Sequence, residues 1–352
     1  MTLCDRLVQS DLSDEIRNRG KMDIIQTLNS GKKREILIEE LEIIKLNNIK
    51  NVRFNLCKYP KTELKSVLNN IAYALKFCKC DVRLFFDIPY PKNKNRIVDF
   101  SFKGENIIVN NIYEIFSDYN DYVKSCSKYK ILMGIERIDP LLYKCGDIIY
   151  FGDGEGCFEI EEINFNRVVV RAINDFKIYV NKALSIGFVE EEDPFFYIDN
   201  VLNSIEGQIT FFLSFCTEQF QIEVLRKKYG VSCKFVPKIE LVKNIASLKE
   251  LLMAGEGAML ARGDLFLLND IKTACKYYNY VADFNMKANK ELYVATDIMK
   301  SLDFREFPSR ADITDILYAK KMCATYIILP YKISSKIELI IKIIKEIDGI
   351  YE

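Results

Sequence analysis

Apolar and polar positions follow two rhythms along this chain, and the change between them divides it. MDIIQTL (22–28), NVRFNL (51–56) and DVRLFFDI (81–88) are short apolar runs rich in β-branched and aromatic residues, which predicts three strands. EILIEELEIIKLNNI (35–49) and TELKSVLNNIAYALKF (62–77) repeat apolar residues at three- and four-residue steps, which predicts two helices between them. Short connections and regular alternation imply a parallel sheet with helices outside. Residues 1–21 are polar and read as a short arm or helix. From about 93 to 185 the rhythm becomes short β-like runs: RIVDF, NIIVNN, KILMGI, DIIYFGDG, CFEIEEI, RVVVRAI and KIYVNKAL. Turn residues such as Gly152-Asp153-Gly154 separate them, with one helix-like stretch near 112–128.

Alternation then returns. A short helix at 198–202 precedes a strand at 208–215 and a helix at 219–230. The apolar start of FVPKIEL predicts the next strand, and Leu248, Leu251 and Leu252 mark a helix stopped by Gly255 and Gly257. AMLA (258–261) is a strand, 271–289 a helix and 291–296 a strand. A helix at 310–322 has Ser309 as its cap, and 324–330 is the last strand. The final helix, 335–348, shows Ile337, Ile340, Ile341 and Ile344 on one face, with Gly349 just past its end. Eight strands outside the insert predict an α/β fold, a (β/α)8 TIM barrel interrupted after its third strand. The expected organisation is barrel over 1–92, inserted β-rich domain over 93–185 and barrel again over 186–352.

In such folds, chemistry collects at the carboxyl ends of strands. Lys238, Glu240 and Asp264 all fall there within one strand–helix–strand unit. Two carboxylates at neighbouring strand ends suit a hard divalent cation, and a lysine beside them suits an anionic substrate. From spacing alone a surface salt-bridge cluster at a loop rim stands as the alternative.

Composition narrows the chemistry. Among 352 residues there is no histidine, so Ser-His-Asp and Cys-His arrangements and His-ligated zinc are excluded. Proton transfer falls to Lys, Asp, Glu, Tyr, Cys or a held water, and any metal is expected to be oxygen-ligated: Mg2+, Mn2+ or Ca2+. Lys+Arg and Asp+Glu balance at 50 each, which points away from nucleic acid and anionic membranes. No apolar run reaches the roughly 18–20 residues of a membrane span, and the polar N-terminus lacks a signal core, so a cytoplasmic location is expected. The 11 cysteines are scattered, and Cys78 and Cys80 have no partner pair, which reads as reduced thiols. The abundant Tyr and Phe read as packing, and residues 190–193 as an acidic linker.

The ordered motifs are similar to those of the pyruvate kinase family. GEGAMLARGDL resembles its ARGD-containing signature, and FVPKIEL the strand bearing a catalytic lysine and a metal-binding glutamate. LYVATDIMKSLDFREFPSRADITDILYA follows a family block almost element by element; NVRFNL, LFFDIPYPK and GDIIYFGDGEG resemble further ones. The resemblance runs from about 22 to 348. It implies a barrel that binds phosphoenolpyruvate or pyruvate with Mg2+ (or Mn2+), and an inserted lid that closes over ADP or ATP. Carried over, Lys238 is the lysine that stabilises the transferring phosphoryl group. Glu240 and Asp264 are metal ligands, and Ala261, Arg262 and Gly263 are the backbone that holds the substrate carboxylate. Arg53 contacts phosphate, and Thr296 helps protonate the enolate.

Departures sit elsewhere. At the family's monovalent-cation site Asn55 and Asp87 stay, but Cys57 and Ile88 replace two hydroxyl residues, and Lys92 stands where a glutamate is common. A lysine there resembles members that dispense with K+. On the nucleotide side Lys58 replaces a histidine, the turn after the first strand is reduced to Thr27-Leu28-Asn29-Ser30, and Lys94 replaces an arginine and its bidentate fork. After the last strand stands Pro330-Tyr331-Lys332. The chain is expected to be a short member without the C-terminal regulatory domain, with homo-oligomerisation open through barrel contacts near 297–312. Three readings follow: a K+-independent phosphotransferase, a Mg2+-dependent lyase or aldolase on a 2-oxo acid, and a catalytically silent binding protein.

Overall fold

The computed structural model describes residues 22–350 except 30, 32, 101–105, 117–118, 125–129, 135–142, 181, 191–192 and 194. The polar arm expected over 1–21, Ser30 of the shortened turn, and Glu191 and Glu192 of the acidic linker lie outside the described residues. The chain divides into two compact units: one built from both ends, up to Pro91 and from Asp193, and one from Lys92–Glu192.

The first unit begins β1 (Asp23–Leu28), α1 (Arg34–Leu46), β2 (Asn51–Asn55), α2 (Lys61–Cys78) and β3 (Arg83–Ile88). After the second unit come α4 (Phe196–Ser204), β13 (Ile209–Leu213), α5 (Gln219–Tyr229), β14 (Lys234–Ile239), α6 (Ile245–Ala254) and β15 (Gly257–Ala261). It closes with α7 (Arg262–Leu267), α8 (Ile271–Ala288), β16 (Glu291–Ala295), α9 (Arg310–Lys321), β17 (Tyr326–Leu329) and α10 (Ile337–Asp348). The eight strands pair in parallel and close in the order β1-β17-β16-β15-β14-β13-β3-β2. This is the (β/α)8 barrel the alternation predicts.

Side chains alternate along each strand, one set facing the helices and one filling the barrel. Leu84, Phe86 and Ile88 of β3 belong to the large core under the helices, whereas Phe85 joins a separate central cluster. That cluster contains Ile25, Phe212, Val236, Met259, Tyr293, Tyr326 and Ile328. Its aromatic rings interlock: Phe85 stacks on Phe212 at 5.5 Å, Tyr293 on Tyr326 at 4.9 Å, and Phe212 meets Tyr293 edge-on at 5.1 Å. Aromatics thus plug the barrel below the carboxyl ends of its strands, which accounts for part of the aromatic content as packing.

Several ends are fixed as the residues suggest. Ser309 Oγ accepts the Asp312 N–H and Asp312 bonds back to Ser309 N, a reciprocal cap that starts α9. Lys290 Nζ donates to the carbonyls of Leu252, Met253 and Gly255 at 2.8, 2.7 and 2.7 Å, closing the open end of α6. Gly349 directly follows α10, just past its end as the sequence places it.

The second unit is β-rich: β4 (Lys92–Phe100), β5 (Asn106–Ile107), β6 (Ile112–Phe116), α3 (Tyr119–Lys124), β7 (Lys130–Gly134), β8 (Ile148–Phe151), β9 (Gly156–Asn164), β10 (Arg167–Ala172), β11 (Phe176–Lys177) and β12 (Ala183–Glu190). Seven of these strands close in the order β10-β6-β7-β4-β12-β8-β9. The helix-like reading of 112–128 is corrected: Ile112–Phe116 pairs residue by residue with β10, and among the described residues of that stretch only Tyr119–Lys124 is helical. β12 pairs with β4 as far as Glu190↔Lys92, so the strand crosses the boundary drawn at 185. The run KIYVNKAL is not one strand; β11 ends at Lys177 and β12 starts at Ala183.

Gly257 shows how closely the barrel strands approach. A Cβ there would lie 2.3 Å from the carbonyl oxygen of Glu291, its partner on β16. Gly257→Ala is therefore expected to destabilise the protein by about 1–3 kcal/mol, read by denaturant unfolding.

Candidate functional site

The carboxyl ends of β1, β2, β3, β13 and β14 bring charged groups together above the aromatic plug. Asp87, near the end of β3, is fully buried. Its carboxylate receives both edges of the Arg53 guanidinium, Nε at 2.6 Å and Nη2 at 2.7 Å. Lys238 Nζ of β14 lies 3.3 Å from the same carboxylate and 2.7 Å from Glu240 Oε1. Glu240 Oε2 accepts the backbone N–H of Phe215 at 2.7 Å. Arg53 Nη1 also donates to Thr27 Oγ1 at 3.1 Å, so β1 joins the network.

Charge this deeply buried survives only in pairs. Burial opposes the charged form of Lys238, but Glu240 and Asp87 outweigh it and raise its pKa. Burial likewise opposes ionisation of Asp87, and Arg53 and Lys238 together hold it below the ordinary carboxylate range. Arg53 is raised, Asp87 overcoming its desolvation. Glu240 goes the other way: burial pushes its carboxyl up, Lys238 opposes this, and the negative charge of Asp264 adds to the rise. The charge of Asp264, which follows β15, thus acts on Glu240 beside a lysine.

Ala261 ends β15, and Arg262 and Gly263 open α7, whose first turn carries Asp264. The Arg262 side chain turns toward the next loop. Its Nε donates to Ala295 O at 3.1 Å, Nη2 donates to Thr296 O, and Nη1 meets Asp315 Oδ1 at 2.5 Å. Thr296 follows β16 with φ 74°, and Asp297 with φ 60°. For non-glycine residues such backbone costs of the order of 1–3 kcal/mol each and persists only where neighbours hold it.

Sequence-predicted residues therefore divide. Arg53, Asp87, Lys238 and Glu240 form one bonded network that also reaches Thr27. Asn55 lies opposite Asp87 in the β2–β3 register, and its Oδ1 accepts the Cys57 N–H at 3.0 Å. Ile88 packs in the helix-side core. Lys58 is exposed and sits over the Tyr331 ring at 5.8 Å. Lys92 and Lys94 lie on β4 of the second unit. Sequence reasoning missed Ser214, whose Oγ lies 3.4 Å from Lys238 Nζ and 3.3 Å from Cys57 Sγ. It also missed the Phe215 N–H and Asp315. The first polar residue after the apolar ITFFL run was the available signal for Ser214.

With the barrel and this cluster in hand, comparison with known proteins places the chain. A family model described as the pyruvate kinase barrel domain matches residues 19–329, and the chain belongs to that family. It is 25% identical over 211 residues to the pyruvate kinase of Kluyveromyces lactis, covering 57% of this chain and 42% of that protein. It is 24% identical over 211 residues to pyruvate kinase 1 of Saccharomyces cerevisiae, with the same coverage of 57% and 42%. The pyruvate kinase of Thermotoga maritima is 27% identical over 187 residues, 51% of this chain and 40% of that protein. The chain spans about two fifths of the length of these curated relatives. Among the described residues no helix is long and apolar enough to cross a membrane.

Removing the Asp87 charge would strand Arg53 and Lys238. Asp87→Asn is expected to cost about 3–5 kcal/mol in guanidinium unfolding at neutral pH. The lowered Asp87 pKa contributes stability that is present above the unfolded value of about 3.9 and lost as pH falls through the folded value. Below about pH 4 the variant's stability should therefore fall less steeply than the wild type's, read by thermal unfolding across that range.

Proposed function

We propose that this protein is a pyruvate kinase-like phosphotransferase that moves a phosphoryl group between phosphoenolpyruvate and ADP, using Mg2+ or Mn2+ and not requiring K+. The observation that carries this reading is the buried Arg53–Asp87–Lys238–Glu240 network at the carboxyl ends of the barrel strands. Phosphoryl transfer asks for positioning and for cations facing spread negative charge. Arg53 and Lys238 supply two permanently charged groups, each held in place by Asp87 rather than by solvent.

In the forward direction the phosphorus–oxygen bond to the enol oxygen breaks as a bond to the terminal ADP oxygen forms. The enolate then takes a proton at carbon from the Thr296 hydroxyl, which is restored from water. The backbone of Ala261, Arg262 and Gly263 would hold the substrate carboxylate. Glu240 and Asp264 would hold the divalent ion. The Asp264 charge acting on Glu240 suits a shared hard cation. Among the described residues no group of three or more His, Cys, Asp or Glu could hold an ion, so a pair would leave positions for water and substrate oxygens. When bound, the ion would supply Lewis-acid polarisation of enolate and phosphoryl oxygens.

K+ is dispensable in this reading because Asp87 already has two internal cations and Cys57 and Ile88 bring no oxygen ligand in place of hydroxyls. The nucleotide is proposed from the family and from Thr27 and Lys58 of the first unit, with Thr27 bonded to Arg53.

The test is a coupled assay with phosphoenolpyruvate, ADP and Mg2+, run in K+ and in tetramethylammonium. Equal turnover in both salts is expected; turnover only with K+ sinks the K+-independent part. If no ATP forms and oxalate with Mg2+ raises the melting temperature while ADP does not, the reaction is instead cleavage of a 2-oxo acid on the same enolate site. If neither ligand shifts it, the protein binds without catalysis. Lys238→Ala should lower turnover about 10²–10³-fold while Mn2+ affinity, read by electron paramagnetic resonance, stays nearly unchanged; parallel loss of both would show that the role given to Lys238 is wrong.

A further inference from the structure

The side chain of Arg262 is committed to something other than substrate. Its guanidinium bonds two consecutive carbonyls, Ala295 O and Thr296 O, and its remaining nitrogen is taken by Asp315 on α9. The side chain is only 15% exposed. The carbonyls it grips lead directly into left-handed backbone at Thr296, Asp297 and, two residues on, Met299 with φ 55°. A β-branched threonine adopts that region rarely. The segment is fixed at its other end as well. Ser301 Oγ donates to Asp312 Oδ2 and accepts Ser309 N–H at 2.9 Å, tying the short 3-10 turn Lys300–Asp303 to the start of α9. One helix, α9, therefore anchors both ends of the loop that presents Thr296.

We propose that Asp315 is a positioning residue for the protonation half of the reaction: through Arg262 it fixes the Thr296 backbone and so the direction in which the Thr296 hydroxyl can reach the enolate carbon. This rests on the role given to Thr296 above. Arginine cannot lose its proton, and its planar fork can satisfy two carbonyls at once only if its rotamer is set. Asp315 sets it from a capped helix. Without the carboxylate, the guanidinium is free to leave the loop. The resulting displacement of Thr296 would act on proton transfer to carbon, whereas Arg53, Lys238 and Glu240 sit on other strands and would keep their mutual contacts.

The inference separates two rates in the intact protein. One is ATP formation from phosphoenolpyruvate, ADP and Mg2+. The other is deuterium uptake into the pyruvate methyl group in D2O with Mg2+, followed by NMR. Asp315→Asn is expected to slow methyl exchange about tenfold or more beyond any slowing of ATP formation, Asp315→Glu to restore most of it, and Arg262→Lys to repeat the asparagine pattern. A purely structural role would lower the melting temperature and both rates together, and that result overturns the inference. So does an asparagine variant that keeps both rates within about twofold of wild type. Should the asparagine variant not fold, Arg262→Lys carries the same comparison. A wild-type protein that supports neither rate refutes the phosphotransferase reading itself, which is distinct from an active wild type whose variants lose both rates in step.

Discussion

An anion with no access to water organises the top of this barrel. Asp87 is fully buried, and a carboxylate in that position is tolerated only with cations close by. The two that serve it come from opposite sides: Arg53 on β2, the neighbour of β3, and Lys238 on β14, which lies beyond β13. A fork and an ammonium can reach one carboxylate only if those strands hold their present register, because a slip of one residue would turn each side chain to the helix-facing side. The constraint that permits the buried charge is thus the same one that shapes the candidate site. The candidate site and fold specification share atoms here, and the aromatic layer lies in the barrel below them.

Much of the barrel was legible because its signal is local. Each strand is a compact run of branched or aromatic residues, and each main helix has its own periodicity. Lys238 and Glu240 could be read because they end such a run. What escaped depends on distant partners. Ile112–Phe116 carries apolar residues that fit a helix as well as a strand, and pairing with β10, more than fifty residues later, decides the matter. Phe215 offers its N–H to Glu240 from left-handed backbone, a conformation that phenylalanine does not advertise. Asp315 is one acid among many polar residues on α9, and only the fold shows that it faces Arg262. The roles proposed for Thr296 and Arg53 come from the family motifs and not from spacing.

The replacements that set this chain apart from the family pattern have physical company in the structure. Cys57 lies against Ser214, which in turn lies against Lys238, so the thiol borders the charge network without supplying a hard oxygen. Ile88 is simply absorbed into the core under the helices. The groups that balance charge are present in the cluster, and the thiol and isoleucine bring it no hard oxygen.

The aromatic floor has one more consequence. The sequence contains no tryptophan and 20 tyrosines, and Tyr293 and Tyr326 are stacked inside the barrel with their rings held at a fixed angle of 15°. Rigid, asymmetric packing of tyrosine and phenylalanine is what gives a folded protein its near-ultraviolet circular dichroism. This molecule therefore carries a built-in optical gauge of its interior, free of the indole bands that usually swamp such signals, and placed inside the barrel.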